Sequence, residues 1–459
     1  MEVYNIHILI ISFILIYLLY KYYVVINGRL RLFSITSFFC LNYFVWALFG
    51  SILLNCVYLI EEDNKGFYSH PDILFNVWLY TLLGYFFLFV GFTLAHAVWG
   101  KRKLTKFISQ KPVEVSPYDL SSRNYRWIVF LFIVAVIVLL LYRSIIGAFP
   151  LESVFLGLSG HDLALLRSDA TNNFSGKMYR FTMFMEVLPL YLFIILSFIK
   201  KGKIEKKWRI LFIFLLLYNI FYTLITLQKA PIINFMILCY IIYTYKKGEM
   251  SKKPLIIMSV FGSFLIIIMY IFFMGVSEDM PISLIVRGAL HRVFISSIDP
   301  FFYYIKYTNE HGLLWGTSFP NPGGIFPFEH FRLTVEIMEY SRDTASDVVG
   351  SQPTVFLGEM YANFGFFAII ISSVFMGFLL QTLDFIFWAK LSKKKNVLNC
   401  ALYIELMIFF SQYAQTGFSG IVVDTTLYFI VFISIWYLQR QKKYNSVYFK
   451  RKVNSILQN

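Results

Sequence analysis

Charged residues are scarce in this chain of 459 residues: only 15% are Asp, Glu, Lys or Arg, whereas 58% are hydrophobic. A soluble globular domain carries about 25% charged residues. Apolar runs of about 20 residues, each long enough to cross a lipid bilayer, recur along the chain between short polar segments. The composition excludes an ordinary soluble enzyme. It predicts an all-α polytopic membrane protein in which residues 1–459 form a single integral membrane domain.

Motifs for metal binding and for nucleotide chemistry are also missing from the sequence. The four cysteines, Cys40, Cys56, Cys239 and Cys400, lie in or near apolar runs, and none pairs at metal-ligand spacing. No histidine has a His-x3-His or Glu-x2-His partner, and neither a phosphate-binding glycine loop nor a nucleophile elbow is present. We therefore expect no metal, no cofactor and no nucleotide-driven chemistry.

The net charge is +15, but the distribution of the basic residues along the chain argues against nucleic acid as the partner. Most Lys and Arg residues fall in short segments on one side of the predicted membrane, for example from Lys101 to Arg126 and from Lys200 to Arg209. Cytoplasmic loops have this bias in membrane proteins, and anionic lipids are its usual partners. The pattern predicts an N-terminus outside the membrane and a C-terminus on the inner, cytoplasmic side. The first apolar run lacks a basic n-region and a cleavage site, so we expect a retained span.

Eleven membrane spans fit the apolar runs, and no internal repeat is visible. The ninth is long enough to tilt or to protrude from the bilayer. The predicted spans lie near residues 6–26, 33–60, 73–98, 127–148, 178–199, the two halves of 210–245, 255–275, 353–388, 397–417 and 421–438.

Two predicted outer loops, residues 149–177 and 276–352, interrupt this apolar pattern. In the longer loop, apolar residues recur at helical spacing between Ile282 and Phe294 and again between Leu333 and Tyr340. The Asp299-Pro300 pair is typical of a helix cap followed by a first-turn proline. We expect short helices that lie against the membrane surface.

Cations on the outer side run against the general charge bias, so topology does not explain them. They are Arg167, Lys229, Arg287, Arg292, Arg332 and Arg342. A cluster of such cations would suit a pyrophosphate, whose several oxygens match forked guanidinium donors. The alternative is that each arginine pairs with an acid of the long loop.

Polar residues inside apolar runs are the other candidates for chemistry. Glu359 lies at the start of the predicted ninth span, with Asn363 on the same helical face. An ionisable group there is costly unless it faces protein or water, so the residue is either functional or a structural hydrogen-bond partner. Glu405, which shares a polar stripe with Gln412 and Thr416, and Glu186 favour inter-helix hydrogen bonding over catalysis.

Three stretches carry a resemblance to a known family. They are Gly316-Thr-Ser-Phe319 with the Pro/Gly stretch up to Ile325-Phe-Pro327, the segment from Ser351 to Gly365 that contains Glu359-Met-Tyr-Ala-Asn363, and Leu227-Gln-Lys229-Ala-Pro-Ile-Ile233. In these stretches, and in its many spans and two arginine-bearing outer loops, the chain resembles the O-antigen polymerase family, the Wzy-type oligosaccharide-repeat-unit polymerases.

The resemblance implies a GT-C-like glycosyltransferase of the bacterial inner membrane that works on the periplasmic side. Its donor would be a glycan on undecaprenyl pyrophosphate and its acceptor a lipid-linked repeat unit, with neither a sugar nucleotide nor a metal required. A chain-length regulator protein is a candidate partner. The expected catalytic residues are Glu359, Arg292 and Arg332, and the expected substrate-binding residues are Lys229, Arg167, Arg287, His330, Arg342, Asp347 and Asn363.

Three alternatives remain open from the sequence. An O-antigen ligase uses the same donor with a different acceptor. A flippase or another transporter of lipid-linked glycans would be expected to carry charges deep in many spans and to have short outer loops. A membrane scaffold protein without catalytic activity is the third alternative.

Overall fold

The computed structural model describes residues 5–28, 32–56, 67, 69–100, 122–153, 160–170, 174, 178–198, 205–225, 227, 229–273, 288, 290–321, 324–342, 350–393 and 397–436. Every regular element in these ranges is helical, which confirms the predicted all-α class. The principal helices are α1 (Ile6–Asn27), α2 (Ile35–Cys56), α3 (Pro71–Trp99), α4 (Ser122–Ile146), α5 (Gly160–Ala170), α6 (Arg180–Ser197), α7 (Lys206–Ile225), α8 (Lys229–Lys247), α9 (Lys252–Phe273), α10 (Asp299–His311), α11 (Leu333–Tyr340), α12 (Phe356–Phe364), α13 (Phe366–Lys393), α14 (Val397–Ser411) and α15 (Thr425–Trp436).

Eight helices are long and apolar enough to cross a membrane, judged over the described residues: α1, α2, α3, α4, α6, α7, α13, and α14 together with its continuation to Ala414. Helices α8 and α9 coincide with two further predicted spans, and the shorter apolar helix α15 lies within the last one. The structure therefore supports a multi-pass membrane protein, while the count of eleven spans stays a prediction.

Helices α3 and α13 run side by side in the same direction along most of their lengths. The Tyr80 and Phe366 rings lie 5.5 Å apart at one end, and Trp99 donates a 3.1 Å hydrogen bond to Thr382 at the other. Glycine allows the backbones to meet between these ends, because a Cβ on Gly91 would lie 2.2 Å from the Val374 carbonyl oxygen. Small residues allow such close approach between membrane helices.

Replacing Gly377 with Ala is expected to destabilise the protein by roughly 1–3 kcal/mol, the usual cost of overpacking a core. The added Cβ would lie 2.1 Å from the Leu88 carbonyl oxygen, and backbone cannot move aside as a flexible side chain can. The Gly262→Ala variant is the matched control, because its Cβ would meet nothing closer than 3.9 Å. Thermal unfolding in detergent measures both, and equal midpoints for the two variants would contradict the close contact.

The predicted ninth span, 353–388, is not one helix, and this prediction was wrong. Gly365, with a φ of 74°, ends α12, and α13 begins at the next residue. Tyr361 and Phe366 both contact Tyr80, at 5.3 and 5.5 Å between ring centroids, whereas Leu357 lies against Gly84, one turn further along α3. Helix α12 therefore runs antiparallel to α13. The N-terminus of α12 lies further from the N-terminal end of α3 than its C-terminus does.

The start of α12 also differs from the prediction. The predicted span begins at Pro353, but the helix begins at Phe356 after Val355. Residues 350–355 form no regular secondary structure. The Gln352 backbone N–H donates to the Thr334 carbonyl, and the Thr354 hydroxyl donates to the Ser297 carbonyl at 3.0 Å. These bonds satisfy backbone groups of neighbouring segments and hold this non-helical segment in place.

The short helices predicted in the long loop are present where the structure describes it. Helix α10 has Pro300 in its first turn, as predicted, although Asp299 is its first residue and Ile298 its cap. Leu333 and Ile337 of α11 are buried, as their spacing predicts. A π-helical turn, His291–Ile295, lies before α10 and packs on α2, where a Cβ on Gly50 would lie 2.2 Å from the Phe294 carbonyl oxygen. We call the end of the bundle that carries α10, α11 and residues 312–321 and 324–332 the loop face.

Asp384 joins three helices at the end of the bundle opposite the loop face. Its side chain is fully buried near the C-terminal end of α13 and accepts hydrogen bonds from the backbone N–H groups of Ile35 and Thr36, at 3.0 and 3.1 Å. The hydroxyl of Tyr403 donates to the same carboxyl group at 2.5 Å. A carboxylate is favoured at a helix N-terminus by its free N–H groups and by the helix dipole. Asp384 thereby ties α13 and α14 to the start of α2, although it is distant in sequence from α2.

Candidate functional site

Glu359 occupies the first turn of α12 and lies beneath the loop face. Its side chain is only 7% exposed. One carboxylate oxygen, Oε1, accepts a hydrogen bond from the Ser318 hydroxyl at 3.1 Å, and the other, Oε2, accepts one from the Ser419 backbone N–H at 2.8 Å. The carboxyl group thus joins α12 to two loops that come from opposite sides of it in sequence.

Asn363 completes this cluster one helical turn later, on the same face of α12 as predicted. The residue is fully buried. Its Nδ2 donates to Ser318 Oγ and to the Glu359 carbonyl, each at 2.7 Å, and its Oδ1 accepts from the Gly316 backbone N–H at 2.8 Å. We call Ser318, Glu359 and Asn363 the Glu359 cluster. Its hydrogen bonds fix the path of residues 316–318 over the end of α12.

The sequence pattern did not identify two neighbours of Glu359, residues 417–420 and Ser318. Residues 417–420 lie where the last two predicted spans meet, and a Cβ on Gly417 would lie 2.5 Å from Glu359 Oε2. The contact leaves no room for a side chain at residue 417 and lets the Ser419 N–H reach the carboxylate. Ser318 lies within the Gly316-Thr-Ser-Phe319 stretch quoted for the resemblance, but its hydrogen bond to Glu359 depends on a fold that spacing alone does not show.

Burial is the dominant influence on the Glu359 carboxyl group. Helix α12 is not among the eight helices of membrane-spanning length. Burial raises the pKa of Glu359, because desolvation disfavours the charged form, while hydrogen bonds from Ser419 and Ser318 and the charge of His330 act in the opposite direction. His330 therefore lies near enough to the cluster to influence Glu359 electrostatically when its imidazole is protonated.

His330 is exposed on the loop face, and the hydrogen bond of one ring nitrogen determines the tautomer of the neutral ring. Nδ1 lies 3.1 Å from the Phe319 carbonyl oxygen, which can only accept a hydrogen bond. The neutral imidazole therefore carries its proton on Nδ1 and keeps its lone pair on Nε2. A neutral histidine held in this way can accept a proton from a bound hydroxyl group.

Arg292 and Arg332 are both exposed. Arg292 lies in the π-helical turn before α10, and Arg332 directly precedes α11. Within the ranges that the structure describes, neither guanidinium forms an ion pair. The alternative in which each arginine pairs with a loop acid is therefore not seen for these two residues in that part of the chain.

The other predicted site residues are placed less fully. Arg342 is half-buried, and its Nη2 would lie 3.4 Å from a Cβ on Gly350, so this side chain packs beside residue 350. Arg167 lies in α5 and Lys229 is the first residue of α8, but their side chains are outside the description. Arg287 and Asp347 lie outside the described residues. Convergence of the cations on one cavity therefore stays a prediction.

A second polar site lies among the membrane helices, where the sequence favours inter-helix hydrogen bonds. Glu186 of α6, Glu405 of α14 and Gln412 line one cavity, and Thr416 is not among its lining residues. The Tyr222 hydroxyl donates to Glu186 Oε2 at 2.9 Å, which agrees with a role for Glu186 in joining helices. Glu405 has no such bond: its Oε2 is buried and has no hydrogen-bond partner among the described residues.

The structure thus contains two polar sites. One has the hydrogen-bonded carboxylate of Glu359 beneath the loop face, and the other has the carboxyl groups of Glu186 and Glu405 within the helical bundle. Comparisons of this chain with protein-family models, with curated proteins and with solved structures found no match.

Proposed function

We propose that this protein is a glycosyltransferase that joins oligosaccharide repeat units carried on undecaprenyl pyrophosphate into an O-antigen or a related surface polysaccharide. The observation that carries the proposal is the Glu359 cluster, whose buried carboxylate and amide hold residues 316–318 in place beside the exposed His330. The resemblance noted in the sequence includes these same stretches.

The chemistry required is transfer of a glycan from its pyrophosphate to an acceptor hydroxyl group. Negative charge develops on the departing pyrophosphate, and cations stabilise it. Arg292 and Arg332 are exposed and have no ion pair in the described part of the chain, so their guanidinium groups are available for phosphate oxygens. In the proposal the two arginines bind the pyrophosphate, and Lys229 and Arg167 contribute further positive charge.

The acceptor hydroxyl needs a base, and two candidates lie near each other at the loop face. His330 has a free lone pair on Nε2 and is exposed, whereas both oxygens of Glu359 already accept hydrogen bonds from the protein. We therefore assign the proton to His330, and we assign Glu359 to the positioning of residues 316–318. A catalytic role for Glu359, as the base for the acceptor hydroxyl, remains the competing hypothesis.

An exposed aromatic side chain supports a glycan as the substrate. Trp315 is 73% exposed, and its backbone takes a φ of 52°, a left-handed conformation that is rare for a bulky residue. Its backbone N–H donates to the Asn363 carbonyl at 3.1 Å, which ties it to α12. Strained positions of this kind are concentrated at functional sites. In the proposal the indole ring packs against the apolar face of a sugar.

The proposed location is the bacterial inner membrane, with the loop face in the periplasm. Eight helices of spanning length support a multi-pass protein. The orientation rests on the Lys/Arg-rich segments, which the positive-inside rule assigns to the cytoplasm. A lipid-linked substrate would then be bound at the outer surface of the bilayer, within reach of the loop face.

Deletion of the gene is expected to leave surface glycans that carry a single repeat unit, because export and ligation of the unit continue without polymerisation. Electrophoresis of the extracted glycans measures this pattern, and expression of the wild-type protein from a plasmid should restore the ladder. Loss of every repeat unit from the acceptor would instead indicate a ligase, which uses the same donor.

Transport of a lipid-linked glycan is the second candidate function. One observation favours it: the polar cavity between membrane helices contains two carboxyl groups, as ion-coupled transporters require within the membrane. In a strain without the transporter, lipid-linked repeat units would accumulate on the cytoplasmic side. In a strain without the polymerase, they would reach the periplasm as single units.

A further inference from the structure

A cavity of about 230 Å³ lies among α6, α7, α8, α14 and α15, apart from the Glu359 cluster. This volume is enough for an ion together with several water molecules. The polar residues that line the cavity are Glu186, Asn219, Tyr222, Thr223, Asn234, Glu405, Gln412 and Thr426. Among the lining residues that the structure describes, none is Lys, Arg or His.

Glu405 has a buried carboxylate oxygen to which a ligand could bind. Its side chain is 6% exposed, and its Oε2 has no hydrogen-bond partner within the described ranges. The Glu186 carboxyl group lines the same cavity and lies close enough to interact electrostatically with Glu405. An unpaired carboxylate in a low-dielectric interior is costly, and a second carboxylate nearby increases that cost. A positive charge between them would remove both penalties.

Most hydrogen-bond donors of the described lining already bond to other groups of the protein. Both N–H groups of Asn219 Nδ2 are directed at the carbonyls of Leu215 and Pro189, at 2.7 and 3.4 Å, which leaves its amide oxygen. The hydroxyl of Tyr222 donates to Glu186, and that of Thr223 donates to the Ile220 carbonyl at 2.8 Å.

Thr426 follows the same pattern, because its hydroxyl donates to the Asp424 carboxylate. Of the six uncharged polar side chains in the described lining, four therefore donate their hydrogen bonds to other groups and keep lone pairs that can accept. A lining of oxygen acceptors and two carboxylates is the environment that a hard cation requires.

We propose that this cavity binds a monovalent alkali cation, Na⁺ or K⁺, through oxygens of Glu405, Glu186 and Asn219. Two carboxylates would neutralise a divalent ion, but Ca²⁺ and Mg²⁺ take six or more oxygen ligands, more than the oxygens of Glu405, Glu186 and Asn219 supply. The cation would stabilise the packing of α6, α7 and α14 against one another. This inference does not depend on the proposed glycan transfer, because a transferase, a ligase and a transporter could each contain such a site.

Thermal unfolding of the purified full-length protein tests the cation site. NaCl or KCl is titrated against choline chloride at constant ionic strength, since a quaternary ammonium has no N–H group and is too bulky for close coordination. The unfolding midpoint is expected to rise saturably, by on the order of 5 °C at an alkali cation concentration about 100 times its Kd. A response to both ions, or a larger one to either, assigns the preferred cation.

The Glu405→Gln variant is expected to lose this rise, and Glu186→Gln to weaken it. Glu249→Gln is the matched control, because Glu249 pairs with Lys247 at 3.1 Å outside the cavity, and its response should equal that of the wild-type protein. An equal response in Glu405→Gln and the wild type, or a response to MgCl₂ alone, would overturn the proposal. If Glu405→Gln cannot be purified, identical midpoints of the wild-type protein in NaCl, KCl and choline chloride would overturn it as well.

Discussion

Replacing Glu359 with Ala is expected to lower glycan polymerisation by more than about 100-fold, the effect that a displacement of about 1 Å in a catalytic arrangement can have. The change removes the acceptor for Ser318 Oγ and for the Ser419 backbone N–H. Each hydrogen bond to a charged group contributes about 1.5–3 kcal/mol. Residues 316–318 would lose their fixed path over α12, and the unfolding midpoint should fall together with the activity.

The Glu359→Gln variant separates positioning from proton transfer. Its amide oxygen can still accept from the Ser419 N–H and its amide nitrogen can donate to Ser318, but it cannot act as a base. We expect Gln to retain at least about a tenth of the wild-type polymer yield, measured as the glycan ladder at equal protein level. Loss of the ladder in Gln at a wild-type unfolding midpoint would contradict positioning and identify Glu359 as the base.

A parallel change at His330 completes this comparison. His330→Gln should abolish polymerisation without lowering the unfolding midpoint, because the exposed side chain makes one described hydrogen bond, from Nδ1 to the Phe319 carbonyl. A fully active His330→Gln variant would remove His330 from the proposed mechanism.

Replacing Arg292 or Arg332 with Ala is expected to reduce kcat/KM for the pyrophosphate-linked donor by about 10- to 150-fold each. This range corresponds to about 1.5–3 kcal/mol for a charge-assisted hydrogen bond. Both side chains are exposed and have no ion pair in the described part of the chain, so the unfolding midpoint should not change. Donor consumption by purified variants measures the effect.

Two controls distinguish a phosphate contact from a general loss of positive charge. Arg332→Lys keeps the charge but loses the forked donors, so it should recover only part of the activity. Lys253→Ala removes an exposed cation from the other side of the proposed membrane and should have wild-type activity. Equal activities in Arg332→Ala, Lys253→Ala and the wild type would show that Arg332 does not contact the donor.

Local periodicity predicted much of the fold. Apolar runs of about 20 residues predicted the positions of the long helices, and the 3.6-residue spacing of Leu333, Ile337 and Tyr340 predicted α11. The Asp299-Pro300 pair predicted the start of α10 to within one residue. The shared face of Glu359 and Asn363 also followed from helical spacing, because both residues lie within a single helix.

Contacts between segments distant in sequence could not be predicted in this way. Hydropathy does not distinguish a long span from two helices that fold back at Gly365, since both halves are apolar. Asp384 caps α2, to which only the tertiary fold brings it close. The carboxyl groups of Glu186 and Glu405 come from separate helices, and only packing shows that they line one cavity.

Elongation in a purified system tests the central claim most directly. The full-length protein would be reconstituted into liposomes with undecaprenyl-pyrophosphate-linked repeat units as the only glycan, without nucleotide sugars and with a metal chelator present. We expect lipid-linked chains of two or more repeat units, together with one released undecaprenyl pyrophosphate for each bond formed, and neither product with the Arg292→Ala/Arg332→Ala variant. Unchanged single units with well-folded wild-type protein, or their movement across the bilayer without elongation, would contradict the proposed polymerase function.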